Sequence, residues 1–213
     1  VALTQLVRPG TPVVYGGFTS NVDMKTGAPA FGTPENTRAN IAGGQLARFY
    51  RLPYRTSACS ASNAADAQAV WETQMAMWGA VTGHGNLIYH AAGWSEGGLV
   101  ADFEKLVLDC EMLQAMSETL RPVHFEDADF GFAAHDEVSP GGHFFGTGHT
   151  MERYQSAFYS PFLPDWSNNE NGRDAGGRNT TERAREIWPK MPDADAAPPM
   201  DPARHEERHA LTH

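Results

Sequence analysis

Cysteine is scarce: Cys59 and Cys110 are the only two in 213 residues, too few for a disulfide framework and in keeping with a reducing, cytoplasmic setting. Long apolar runs are also missing, since none approaches the roughly 18 residues needed to cross a bilayer. Basic residues are outnumbered, with 16 Lys and Arg against 26 Asp and Glu and a formal net charge of −10. A surface so poor in positive charge is not built to grip a phosphate backbone, which excludes nucleic acid as a partner. The chain begins at Val1, with neither a charged leader nor an apolar signal core, and reads as cut from something longer.

What is present is a rhythm of strand, loop and helix. Thr11 to Gly17 reads as a short strand leaving into a long polar loop, Phe18 to Thr33. Thr33-Pro34-Glu35 opens a helix with a hydroxyl cap, a proline at the first helical position and an acid in the first turn. Leu52 to Ser57 is a second strand, and Asp66 starts a helix whose Val70, Trp71, Met75, Trp78 and Val81 form an apolar stripe. Leu87 to Gly93 is the third strand. Its helix is predicted from about Leu99 to Leu120, burying Phe103, Leu106, Val107, Cys110, Leu113 and Leu120. Three such units in a row predict a parallel α/β sheet, barrel or doubly wound.

Beyond Pro122 the spacing predicts a helix over 128–138, a glycine-rich loop from Ser139 to His149, a helix over 150–159, an exposed loop over 168–179 and a short helix over 181–188. Residues 192–202 read as a Pro/Ala-rich linker.

In parallel α/β folds ligands sit beyond the C-terminal ends of the strands. That rule singles out His90, Trp94 and Glu96 after the third strand, Ser57 with Cys59 and Ser60 at the end of the second, and Asp23 in the loop after the first. Each has a plain structural alternative. Trp71 and Trp78 fit a helical stripe and read as core rather than as a cage for a quaternary ammonium. His205-Glu-Glu-Arg-His209 matches the zinc-protease pattern H-E-x-x-H, but its charged, Pro-flanked surroundings argue for a chance match. The four glycines between Ser139 and Gly148 would let a backbone approach a cofactor closely, or simply make turns; no Lys-Ser/Thr follows and no strong strand precedes them.

Six segments together go further: Pro12–Gly17 (P-V-V-Y-G-G), Asp23–Gly27 (D-M-K-T-G), Gly32–Glu35 (G-T-P-E), His90–Trp94 (H-A-A-G-W), Glu96–Leu99 (E-G-G-L) and Gly141–Phe144 (G-G-H-F). In this order the chain resembles the trimethylamine methyltransferase (MttB-type) family over residues 1 to about 166. Members are about twice this length, so the resemblance implies the C-terminal part of a TIM (β/α)8 barrel, its later βα units plus closing helices, with 167–213 a polar, Pro-rich extension. It implies a corrinoid-dependent methyltransferase that moves a methyl group from a methylated amine to the Co(I) of a corrinoid protein. The corrinoid would be carried by that partner, and no tightly bound metal is expected. No pyrrolysine occurs here, which points to the branch that includes enzymes for quaternary amines such as glycine betaine, with trimethylamine as the other candidate substrate. Within that reading, strand-end position and chemistry suggest Glu96 to stabilise the substrate cation and His90 to position it. Trp94 would wall the site, with Asp23 and Ser57 as further substrate contacts, and Gly141, Gly142 and His143 would face the corrinoid. The expected partners are the corrinoid protein, a small methylated amine and a second copy of the chain, with no membrane. The alternatives are another barrel enzyme, such as a metal-dependent lyase, or an inactive fragment that only binds a corrinoid protein.

Overall fold

The computed structural model describes residues 1–191, so the linker over 192–202 and the histidines 205 and 209 lie outside the described residues. After a short helix α1 (Ala2–Val7), strands β1 (Tyr15–Gly16), β4 (Tyr54–Ser57) and β5 (Leu87–Tyr89) form a parallel sheet in the order β1-β4-β5. Helix α2 (Pro34–Phe49) connects β1 to β4, α3 (Ala67–Thr82) connects β4 to β5, and α4 (Phe103–Thr119) follows β5. The α/β expectation is met by these three units. The caps read from the sequence also form: Thr33 accepts from Asn36 N–H and Asp66 from Gln68 and Ala69 N–H.

Side chains alternate across a strand, so β4 has two unlike faces. Tyr54 and Thr56 point at α2, where the Tyr54 hydroxyl donates to the Asn40 carbonyl (3.0 Å) and the Thr56 hydroxyl to Asn40 Oδ1 (2.7 Å). Arg55 and Ser57 occupy the opposite face, beside their β5 register partners Leu87 and Tyr89. Helix α2 reaches β4 and α3 through small residues. A Cβ on Gly43 would lie 2.5 Å from Tyr54 Oη, and one on Gly44 only 1.8 Å from the Gly83 carbonyl oxygen.

Several expectations are corrected. The loop Phe18 to Thr33 contains an antiparallel hairpin, β2 (Asn21–Val22) with β3 (Pro29–Ala30). No helix starts at Leu99: β6 (Trp94–Ser95) and β7 (Val100–Ala101) form a hairpin around a 3-10 turn, Glu96–Gly98, whose three residues all have positive φ. Helix α4 begins only after the Asp102 cap. The stripe on α3 is met in part: Val70, Trp78 and Val81 pack, partly buried, against the core, whereas Trp71 and Met75 are exposed, and the fully buried positions are Ala69, Thr73, Ala76, Met77 and Ala80, most of them small. On α4, Phe103 and Leu120 are exposed while Lys105, Asp109 and Glu111 are buried, each charge compensated by a partner described below.

The later segment holds a 3-10 turn (Asp127–Phe130), α5 (Phe132–Glu137), α6 (Gly148–Arg153), α7 (Asn169–Asp174), α8 (Thr180–Ile187) and a final 3-10 turn (Trp188–Lys190). The helix predicted over 128–138 is thus split at Gly131 (φ 64°), and the one over 150–159 starts and ends earlier. The loop predicted over 168–179 contains α7, capped by Asn168. Helix α8 packs on α4: Ala184 is buried with Val107, Leu108 and Leu163, and Thr181 donates to the Ala65 carbonyl at 2.8 Å.

Candidate functional site

The C-terminal ends of the three parallel strands converge on one imidazole. His90 follows β5 directly, in the left-handed backbone region (φ 56°), where histidine is among the side chains tolerated best. That turn carries the ring back over the end of β4, where His90 Nδ1 lies 2.9 Å from Ser57 Oγ. The Ser57 hydroxyl also approaches Cys59 Sγ at 3.7 Å. Ser57 is only 2% exposed, so its hydroxyl serves to hold the imidazole from behind rather than to face open space.

Three aromatic rings surround His90. Trp94 stands edge-on at 5.4 Å between centroids and 89°, Phe18 at 5.6 Å, and Tyr89 at 6.1 Å and 87°. Phe18 comes from the end of β1 and is seated by Phe31 at 4.6 Å. Gly97 lets the 3-10 turn close over Phe31, since a Cβ there would lie 3.2 Å from that ring. Burial, and next the Arg55 charge, hold the His90 pKa below the ordinary histidine value, so the ring is neutral around pH 7. Arg55 places its guanidinium 4.3 Å from the centre of the Tyr89 ring.

Beneath this group lies a buried polar layer. Lys105 Nζ donates to Asp109 Oδ2 (2.5 Å) and to the Thr73 hydroxyl (2.8 Å), and Asp109 Oδ2 accepts the Gly93 N–H (2.8 Å). The Asp109 contact fixes the backbone between His90 and Trp94. Glu72 does the same for the exit of β4, its Oε2 accepting from Ser60 Oγ, Ala61 N–H and Ser62 N–H at 2.8–2.9 Å. Burial pushes the Cys59 thiol up, so it stays protonated and unreactive at neutral pH.

The sequence candidates are distributed unevenly over this geometry. His90, Trp94 and Ser57 meet at one point. Glu96 is exposed in the turn that follows, its N–H donating to the Ser62 carbonyl (3.0 Å). Asp23 is exposed at the tip of the β2–β3 hairpin, where its carboxylate accepts from the Thr26 hydroxyl (2.6 Å) and the Lys25 N–H, contacts that lower its pKa. Gly141, Gly142 and His143 lie in an exposed turn closed by Gly142 N–H to the Ser139 carbonyl, with His143 5.5 Å from Phe145. A Cβ on Gly142 would lie 2.9 Å from Val138 Cγ1, so turn packing alone accounts for that glycine. Phe18 and Arg55 were missed. Strand alternation places Arg55 on the Ser57 face, and Phe18 sits where β1 must end. Among the described residues no group of three or more His, Cys, Asp or Glu gathers in a metal-binding arrangement, and no helix is long and apolar enough to cross a membrane.

The sequence pattern of the trimethylamine methyltransferase (MTTB) family matches residues 1–212. The chain belongs to that family. Among the relatives, a glycine betaine methyltransferase of Desulfitobacterium hafniense (strain Y51) is 31% identical over 206 residues, covering 95% of this chain and 42% of that protein. A trimethylamine methyltransferase MttB of Desulfitobacterium hafniense (strain DSM 10664 / DCB-2) is 30% identical over 87% of this chain and 37% of its own length. An L-carnitine:corrinoid methyltransferase of Eubacterium limosum is 28% identical over 88% of this chain and 39% of its length. This MTTB-family chain thus spans about two fifths of the relatives it matches. By name they are methyltransferases for glycine betaine, trimethylamine and L-carnitine.

Proposed function

We propose that the protein moves a methyl group from a methylated ammonium compound, a betaine or trimethylamine, to a corrinoid carried by a partner protein. The observation that carries this reading is the neutral imidazole of His90 ringed by Phe18, Tyr89 and Trp94 at the strand ends, in a chain of the MTTB family. Ring faces attract a quaternary ammonium without hydrogen bonds, which such a cation cannot donate. A neutral histidine beside them adds polarity without repelling the cation.

The chemistry divides accordingly. The reduced corrinoid supplies the nucleophile that takes the methyl group. The chain's task is to hold one N–CH3 bond in line and keep its neighbours still, which is catalysis by orientation. Trp94 and Phe18 form the walls, Ser57 fixes the His90 ring through Nδ1, and Glu96 at the rim offers a negative charge to the ammonium. The exposed donor set fits a corrinoid held elsewhere: the site offers ring walls and one imidazole, and the exposed Gly141–His143 turn is the surface we assign to the partner. We further read the three units as part of a TIM barrel, residues 1–166, with 167–213 an extension. On this reading residues 1–213 alone are inactive, because β1 and β5 each keep one unpaired edge among the described residues.

The test is methyl transfer by the full-length protein to a Co(I) corrinoid, followed as loss of Co(I) absorbance, with trimethylamine and glycine betaine supplied separately. Turnover with either supports the reading. No turnover with these or a wider panel of methylated amines would overturn it.

A further inference from the structure

A fixed positive charge stands where a purely cationic substrate would least tolerate one. Arg55 lies on the sheet face turned away from the helices, beside Ser57 and its neighbour Tyr89, and Tyr89 in turn contacts His90. Among the described residues its side chain makes no ion pair and no hydrogen bond; its one partner is the Tyr89 ring. The contact with that ring engages no guanidinium N–H in a hydrogen bond, and those N–H groups are the ones that bind a carboxylate in bidentate fashion. Arg48, by contrast, donates to the Gly83 carbonyl, and Arg185 and Arg153 pair with Glu104 and Glu152. What sets Arg55 apart is its place, on the face of β4 that carries Ser57 and close enough for its charge to act on His90.

We infer that Arg55 binds the carboxylate of a zwitterionic substrate, a betaine-type ammonium carboxylate, while the rings of Trp94 and Phe18 take its methylated ammonium end. The inference rests on the proposed function and sharpens it. A simple amine gains only the rings and is repelled by Arg55, whereas a betaine satisfies both charges at once. Burial and the nearby Arg55 charge also keep His90 neutral, so the site carries one positive charge rather than two. Arg55 is in this sense a specificity determinant and takes no part in methyl transfer itself.

The test is calorimetric titration of the full-length protein with glycine betaine and, separately, with tetramethylammonium, which has the same cationic end and no carboxylate. Wild-type protein is expected to prefer betaine. Arg55→Gln should weaken betaine binding by about tenfold or more, and leave tetramethylammonium binding unchanged or tighter, which also shows that the variant is folded. Arg55→Lys, which keeps the charge, should retain part of the preference. Equal affinity of the wild type for the two ligands, or equal losses for both in Arg55→Gln, would overturn the role of Arg55 while leaving the methyl-transfer reading intact. Failure of the wild type to bind either ligand would remove both.

Discussion

Replacing Lys105 with Met puts the buried polar layer under the site to a quantitative test. Lys105 and Asp109 are both 0% exposed and 2.5 Å apart. Removing the ammonium strands a carboxylate that keeps only the Gly93 N–H on Oδ2 and has no partner on Oδ1. Breaking a buried pair from one side costs about 3–5 kcal/mol; for a domain of this size that lowers the melting temperature by roughly 10 °C. Both variants leave the Thr73 hydroxyl without its Lys105 partner; removing Asp109 as well, Lys105→Met with Asp109→Leu, replaces the stranded carboxylate by one unsatisfied amide, Gly93 N–H, at about 1–3 kcal/mol. The double variant should therefore be more stable than the single one. The pH dependence follows from Asp109, whose carboxyl burial already pushes up, opposed by Lys105. Without Lys105 it rises further. A carboxyl with a raised folded pKa favours the folded state fully below its unfolded value, and that contribution is lost as pH rises through the folded one. The penalty of Lys105→Met should thus shrink on acidification toward pH 4. Urea denaturation at several pH values measures it. A penalty under about 1 kcal/mol at pH 7, or a double variant less stable than the single, would refute the reasoning.

Gly44→Ala should destabilise by about 2–4 kcal/mol, because overpacking against the Gly83 carbonyl outweighs the roughly 1 kcal/mol gained in helix propensity; Gly172→Ala, where the new Cβ meets nothing closer than 3.5 Å, is the control, and thermal melts compare the two. His90 should titrate below about 6.5 by NMR, and its lowered pKa costs stability as pH falls below that value, so His90→Gln should flatten the acid side of the stability curve. Burial and the Glu111 carboxylate push Tyr159 up to about 12, so an ultraviolet titration should show one tyrosine ionising late, and Glu111→Gln should bring it down. Because Glu111 also accepts the Phe162 and Leu163 N–H groups, Glu111→Ala should cost about 1–3 kcal/mol in a urea melt.

The parallel units were legible because caps and strand composition are local signals: Thr33, Asp66 and the apolar run at Leu87 each act within a few residues. Buried faces were not. Periodicity treats Lys105, Asp109 and Glu111 as solvent-facing, whereas their partners on Thr73, Gly93 and Tyr159 are visible only in three dimensions. It likewise places Trp71 inside, although the side of α3 that meets α2 is held by small residues, with Gly79 against Thr37 and Gly83 against Asn40. The meeting of Ser57 with His90 follows from strand ends aligned in register, which sequence suggests; Asp23 shared the same strand-end argument, yet its carboxylate caps a hairpin. Arg55 carried a signal in strand alternation, once Ser57 had been placed.

The central claim is that the rings around His90 hold a methylated ammonium group. Its most direct test is the affinity of full-length protein for glycine betaine before and after Trp94→Ala. Losing a desolvated cation–π wall of about 2 kcal/mol should weaken binding by roughly 30-fold. An unchanged affinity in a folded Trp94→Ala variant would contradict the account and move the substrate away from the ends of these strands.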